Sequence, residues 1–173
     1  MAAVTRSRAY IYAGLVQVGK FSAVVTDTGT FPNEGFALPA GINAANVLGI
    51  VEEGIVPNLC PDQIRGSYEG FSQAGWVANL IPTTPVGIKR SVVYQGPFRA
   101  RAAGAWRRGD RLIVANNTGQ LASVHTLALP LGMGINVVGY ADEPATNPGD
   151  VAQVIVNQDP GATVVADPTG GVA

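Results

Sequence analysis

The chain reads as an all-β protein: small barrel or sandwich-like units built by an internal duplication, with an extended N-terminal arm and a C-terminal tail. Three observations predict this. Turn formers are abundant, with 22 Gly and 12 Pro in 173 residues, while only 13% of residues are charged. That composition suits many short strands joined by tight turns. No stretch sustains an apolar helical period, so any helix would be one or two turns, near 43–47. The third observation is a repeat at an offset of 90 residues. Ala13-Gly14, Gly19, Val24, Thr28-Gly29, Asn46-Val47, Gly49 and Glu53 recur as Ala103-Gly104, Gly109, Val114, Thr118-Gly119, Asn136-Val137, Gly139 and Glu143, 10 identities over positions 13–53 without a gap. Ala37-Leu38-Pro39 returns one residue late, as Ala128-Leu129-Pro130. The shared residues are mostly turn glycines and the apolar residues between them, which lay out strands. Two copies at so long a period do not make a solenoid.

Residues 1–8 read as a flexible arm, 9–157 as a β-domain and 158–173 as a tail. Repeat units cover about 13–53 and 103–143, with an inserted segment at 54–88. In the first unit, Tyr10-Ile11-Tyr12 opens a strand. Phe21 to Val25 is a second, closed by the turn Thr26-Asp27-Thr28-Gly29. A long loop over 30–45 precedes the strand Val47 to Val51. The insertion carries Pro57, Pro61, Pro82 and Pro85, and Ile64 to Tyr68 and Gly75 to Ile81 read as its short strands. Strands are then expected at Ser91 to Tyr94, Pro97 to Ala103, Arg111 to Ala115, Ile135 to Ala141 and Val151 to Val156. Asn116-Asn117-Thr118-Gly119 is the second copy of the turn, and 121–131 the second copy of the loop. Asp159-Pro160-Gly161 begins the tail, around a last short strand at Thr163 to Ala166.

The net charge of −1 hides an asymmetry. Residues 89–111 carry Lys89, Arg90, Arg99, Arg101, Arg107, Arg108 and Arg111 against Asp110 alone. Residues 112–173 carry no Lys or Arg, only Asp142, Glu143, Asp150, Asp159 and Asp167. Either copies dock head to tail, basic band on acidic neighbour, or the two regions neutralise each other within one subunit. The lone Cys60 allows no intrachain disulfide and reads as a buried thiol. The N-terminus does not read as a signal peptide, and no run approaches the roughly 18 apolar residues of a transmembrane helix.

Ser22-Ala23-Val24-Val25 before Asp27-Thr28-Gly29 has the form of the aspartic-protease turn, which needs two aspartates sharing a proton. The 90-residue offset places Asn117 at the second position, so one chain cannot form the dyad, and Asp27 reads as a turn former. Glu52-Glu53 and Asp142-Glu143 are matching carboxylate pairs at matching strand ends, read as solvated termini. His125 has no nucleophile elbow beside it. Gly132-Met133-Gly134 lacks the rest of a phosphate loop. Seven cations at a pI near 5.7, with Tyr94, Phe98 and Trp106 the only nearby aromatics, make a weak nucleic-acid platform.

The order of motifs in the second half resembles the small phage head decoration, or capsid cement, proteins. Gly109-Asp110 precedes the apolar Leu112-Ile113-Val114. The turn Thr118-Gly119 and the strand Val137-Val138-Gly139-Tyr140-Ala141 follow, then Gly149-Asp150 and the closing Val151-Ala152-Gln153-Val154. The resemblance covers about 88–157 and, through the repeat, 13–53. It implies an all-β virion protein on the outer surface of an icosahedral capsid, assembled in the host cytoplasm. Such a protein binds the major capsid protein as a homo-oligomer, trimer or dimer, and stabilises capsomer contacts. It uses no cofactor, nucleic acid or membrane, and it is not an enzyme. Interface residues are expected among Arg6, Arg8, Trp76, Tyr94, Arg99, Arg101, Trp106, Arg107 and Arg108, since large aromatics and arginines dominate interfaces. The alternatives are a tail or head-completion component and, remotely, an aspartic-protease-like enzyme.

Overall fold

A computed structural model describes residues 4–55 and 87–167. Among these residues there is no helix and there are nine strands. They are β1 (Arg6–Tyr12), β2 (Ala23–Asp27), β3 (Gly35–Ala37), β4 (Val47–Val51), β5 (Lys89–Arg101), β6 (Arg111–Val114), β7 (Leu121–Ser123), β8 (Gly134–Ala141) and β9 (Val151–Thr163). The all-β expectation is met.

The pairings form two successive rings. In the first, β1 pairs with β3, β3 with β2, β2 with β4, β4 with β5, and β5 returns to β1. This is a closed five-stranded barrel in which only the short β1–β3 contact is parallel. In the second ring, the later half of β5 pairs with β9, β9 with β8, β8 with β6, and β6 with β7. A parallel bridge between Leu121 and Ala102 closes it. The 13-residue β5 therefore ends one barrel and begins the next. It changes partners at Gly96-Pro97. Gly96 has φ 100, and a side chain there would strike the Val4 carbonyl oxygen at 2.4 Å. Proline lacks the N–H that an interior strand must donate, which marks the position as a sheet edge.

Equivalent positions follow from the register. Val24 faces Gly49 and Val25 faces Val47, with a bulge between them. Leu112 faces Gly139 and Ile113 faces Val137, with the same bulge. Val24 thus corresponds to Leu112, an offset of 88, not to Val114 at 90. Tyr12 pairs with Phe36 and Ala102 bridges Leu121, so Phe36 corresponds to Leu121, an offset of 85. Ile50 faces Val93 and Tyr140 faces Ile155, so in the last strand the offset falls to 62. The single 90-residue register holds for the first and fourth strands only. In the second copy the connections before the second and third strands are two and three residues shorter and the one before the fourth is five longer, and the segment inserted before β5 shifts the last strand.

The glycines that keep register are those where backbones touch. A Cβ on Gly49 would sit 2.1 Å from the Val93 carbonyl oxygen, and one on Gly139 2.2 Å from that of Ile155. The turn Arg107–Asp110 corresponds to Gly19–Ser22. Here the second copy has Gly109 at φ 88 where the first forces Phe21 to φ 63.

Each barrel has its own filling. Tyr12, Val18, Val24, Phe36, Val51, Ile55 and Val92 cluster inside the first. Their counterparts Ala102, Trp106, Leu112, Leu121, Ala141, Ala145 and Val154 all belong to one larger cluster in the second. That cluster also takes in Ala23, Ile50 and Val93 from the flank of the first barrel. The barrels are further joined by backbone bonds, Ala23 N–H to the Gly119 oxygen at 2.7 Å and Arg101 N–H to the Phe21 oxygen at 3.1 Å. Asn43 plugs the seam, accepting from Asn136 N–H at 2.8 Å and donating its own N–H to the Val114 oxygen at 2.8 Å.

Several sequence expectations need correction. Residues 6–8 are not arm but strand, because Arg6, Ser7 and Arg8 pair with Gln95, Val93 and Val92. The expected loops contain β3 and β7, whose three residues each are too short for an alternation signal. No helix forms near 43–47, where Asn43 and Asn46 adopt positive φ instead. The two expected strands over 91–103 are one. The expected tail contributes residues 158–163 to β9, and Gly161 at φ 91 makes a bulge rather than a turn. Val164 is then buried, 6% exposed, instead of lying in a strand. Cys60, Trp76 and the strands expected at 64–68 and 75–81 lie outside the described residues.

Candidate functional site

The candidate catalytic groups are placed as structural ties. Asp27 ends β2, and its Oδ2 accepts from the N–H of Thr30 at 2.9 Å and of Phe31 at 3.3 Å. By register its counterpart is Ala115 rather than Asn117, so the chain holds no second aspartate there. The turn-forming role passes to Asn116, whose Oδ1 accepts from Thr118 and Gln120 N–H. Glu143 accepts from Gln153 N–H through its side chain, and its carbonyl takes the Trp106 indole N–H at 2.9 Å. His125 donates its backbone N–H to the Ser123 hydroxyl at 3.2 Å. Among the described residues no three His, Cys, Asp or Glu side chains gather as a metal site.

The two Gly-Asp motifs turn out to be one device used twice. Asp110 N–H donates to the Arg107 oxygen, while the Asp110 carboxylate accepts from Arg107 N–H at 3.0 Å. Asp150 N–H donates to the Asn147 oxygen, and its carboxylate accepts from Asn147 and Thr146 N–H at 2.9 and 3.0 Å. The glycine before each aspartate has φ 88 or 89. These amide donors, Asn147 foremost, hold the Asp150 carboxyl below the ordinary aspartate value. Burial pushes the Tyr12 phenol upward.

The expected interface residues scatter. Arg107 pairs with Asp167 and lies 3.9 Å from Asp110, and Arg108 pairs with Asp142 at 3.5 Å. That part of the basic band is neutralised by the acidic end within one chain. Arg101 reaches across the barrel seam to the Lys20 and Gly149 oxygens. Trp106 is 1% exposed and fills the second barrel, so it is core and presents no surface to a partner. Arg99 is exposed beside a groove of about 340 Å³ floored by Phe21 and Phe98, which meet edge-on at 5.6 Å.

The β1–β5 pairing brings Arg6, Arg8 and Tyr94 to one edge of the first barrel, with Arg6 opposite Gln95 and Arg8 opposite Val92. Arg8 stacks over the Tyr10 ring at 5.4 Å. Tyr94 is 38% exposed. Between the two tyrosines lies a cleft of about 370 Å³ whose other walls include Leu48, Gln95, Asn157 and Gln158. Gln158 donates to the Leu48 oxygen at 2.7 Å and so fixes β9 against this rim. The amides and Tyr10 escaped the sequence reading. The alternation Arg6, Arg8, Tyr10, Tyr12 would have revealed the face had residues 6–8 been read as strand.

No protein-family model matches the chain, and no curated protein matches it. Among solved structures it is similar to the head fiber gp8.5 N base of bacteriophage phi29, at a TM-score of 0.47 and 12% sequence identity, over 89% of this chain and 95% of that one.

Proposed function

We propose that this chain is a structural protein of a phage head. It binds the outer surface of the capsid through the major capsid protein and holds neighbouring capsomers together. The observation that carries the reading is the placement of the cement-like motifs. Gly109-Asp110 and Gly149-Asp150 are matching turns that launch β6 and β9. Val138-Gly139-Tyr140-Ala141 is the strand between them, with Gly139 at the close approach to β9. The ordered motifs thus build one barrel, and the first barrel repeats its plan with other residues. A scaffold needs this: two rigid units, a fixed relative orientation and large surfaces for contact.

The test is sedimentation of the purified full chain with expanded, undecorated heads of its own phage, with separated tails run in parallel. The chain is expected in the head fraction, saturating at a fixed ratio to the major capsid protein, and heads lacking it should break at lower temperature. Recovery with tails alone would replace this reading by a tail component. Recovery with neither would sink both.

A further inference from the structure

Three breaks in strand register converge on the cleft between Tyr10 and Tyr94. The β1–β5 register passes from Ser7 opposite Val93 to Arg6 opposite Gln95, so Tyr94 is left without an opposite residue. The β2–β4 register passes from Val24 opposite Gly49 to Val25 opposite Val47 and skips Leu48. On β9, Asn157 and Gln158 fall between the partners of Gly139 and Val137, which are Val156 and Asp159. A bulge frees its extra residue from the ladder and re-aims the side chain. All four skipped residues line this one cleft. The second barrel supplies the comparison. There the pairing that corresponds to β1–β5 runs from Gly96 opposite Val156 to Arg101 opposite Val151 without a shift. The positions matching Tyr10, Leu48 and Tyr94 are Ala100, Val138 and Val156, all sealed in the core. The extra bulge and the exposed ring it carries therefore occur together, in the copy that has the cleft.

The bulges present polar but uncharged chemistry. Among the described residues, none that lines the cleft carries a charge. Within the same set, the amides of Gln95 and Asn157 and the hydroxyls of Tyr10 and Tyr94 make no hydrogen bond to the protein. Gln158 donates to the Leu48 oxygen and keeps its own amide oxygen as an acceptor. A side-chain amide offers a donor and an acceptor side by side, which matches two adjacent hydroxyl groups. A tyrosine ring offers a flat apolar face with a polar tip, which matches the C–H face of a sugar ring. A purely apolar ligand would leave the amides unpaired, and an anion would meet no cation in the wall. A chain of uncharged sugars uses both the rings and the amides. The volume of about 370 Å³ lies in the range of small-ligand sites, roughly 300–1,000 Å³.

We infer that this cleft binds an uncharged glycan, with a sugar ring laid against Tyr94 and its hydroxyls held by Gln95 and Asn157. The inference does not rest on the capsid reading and is measured without heads. The full chain is applied to an array of short oligosaccharides, uncharged and acidic. A proline-rich peptide is the further probe, since such peptides also dock on aromatic-lined grooves. The best-bound uncharged oligosaccharide is then titrated into isotope-labelled protein. The side-chain amide signals of Gln95 and Asn157 should shift and saturate, while those of Asn116 and Gln120, bonded to each other in their own turn, stay in place. Binding should be insensitive to salt. Tyr94→Ala should raise the dissociation constant about tenfold or more, and Tyr94→Phe much less. Gln95→Ala and Asn157→Ala should each raise it about fivefold. Both amides are exposed, so these two variants keep the test open if Tyr94→Ala loses its circular dichroism. Recognition of acidic sugars alone, or of the peptide alone, overturns the proposal. So does the absence of binding to any sugar, or binding undiminished in the Tyr94 and amide variants.

Discussion

The two barrels share a backbone plan and almost nothing of their filling. Of seven corresponding core positions, only Val92 and Val154 carry the same residue. The first barrel places its bulk in Tyr12 and Phe36, whose rings lie 5.3 Å apart. The second has Ala102 and Leu121 there and places its bulk in Trp106, which fills the site of Val18. Facing it, Ala145 stands where Ile55 stands in the first copy. A barrel interior constrains total volume and apolarity more than the identity at any position. Duplicated copies can therefore drift far in their cores and still close.

The sharpest way to break this comparison is to remove the displaced bulk. Trp106→Ala should destabilise the chain by about 4 kcal/mol, because the indole is fully buried and its N–H bond to Glu143 is lost as well. Val18→Ala, at the matching position, should cost about 2 kcal/mol. Urea midpoints at constant m-value measure both. The double change Trp106→Val with Ala145→Ile should cost less than the sum of its parts, since it rebuilds the first barrel's arrangement. Equal losses for Trp106→Ala and Val18→Ala would show that the two sites do not divide volume as described.

This drift explains what could be read from the sequence. The all-β class and the duplication were legible, because turn glycines and short apolar runs record strand layout directly. Gly49 and Gly139 kept a common register because each meets a carbonyl that admits no side chain. The core did not betray the repeat, as Tyr12 and Ala102 share no property except burial. The pairing of Val24 with Val114 was a chance identity, and the shift to Leu112 depends on loop length, which identities cannot track. β3 and β7 were invisible inside the expected loops, because three residues are too few to show alternation. The candidate site was legible only as isolated residues. Arg6, Arg8 and Tyr94 lie far apart in sequence, and the β1–β5 pairing that closes the first barrel is what unites them. Trp106 was expected among the interface residues because large aromatics anchor contacts, yet its place inside a repeat unit also suited a core, which is where it lies.

A second, smaller perturbation tests what the barrels have kept in common. Gly49→Ala and Gly139→Ala should each cost about 3 kcal/mol, because the new methyl meets backbone rather than a side chain that can swing away. The decisive result is their similarity. If the barrels cross their fourth and fifth strands in the same way, the two losses should agree within about 1 kcal/mol. A large loss at one site and none at the other would mean that the strand crossing is not shared, whatever the register suggests. Phe21 and Gly109 mark the opposite case, one backbone position filled by two residue types. The strain at φ 63 is offset there by packing on Phe98 at the seam.

The smallest expected effect concerns the paired Gly-Asp turns and depends on pH. Asp150 is titratable and held below its ordinary pKa by the Asn147 and Thr146 amides. A group with a depressed folded pKa binds its proton less readily when folded. Its stabilisation is present above the unfolded pKa and disappears as pH falls through the folded one. Asp150→Asn keeps the size of the side chain and an accepting oxygen but removes the charge. Wild type should therefore be modestly more stable than the variant near neutral pH, and the gap should close on acidification through the aspartate range, as read from urea midpoints at several pH values. The carboxylate is exposed to solvent, so added salt should shrink the gap further. A gap that stays constant down to acid pH would mean that the turn into β9 is held by shape and by Gly149, not by the charge.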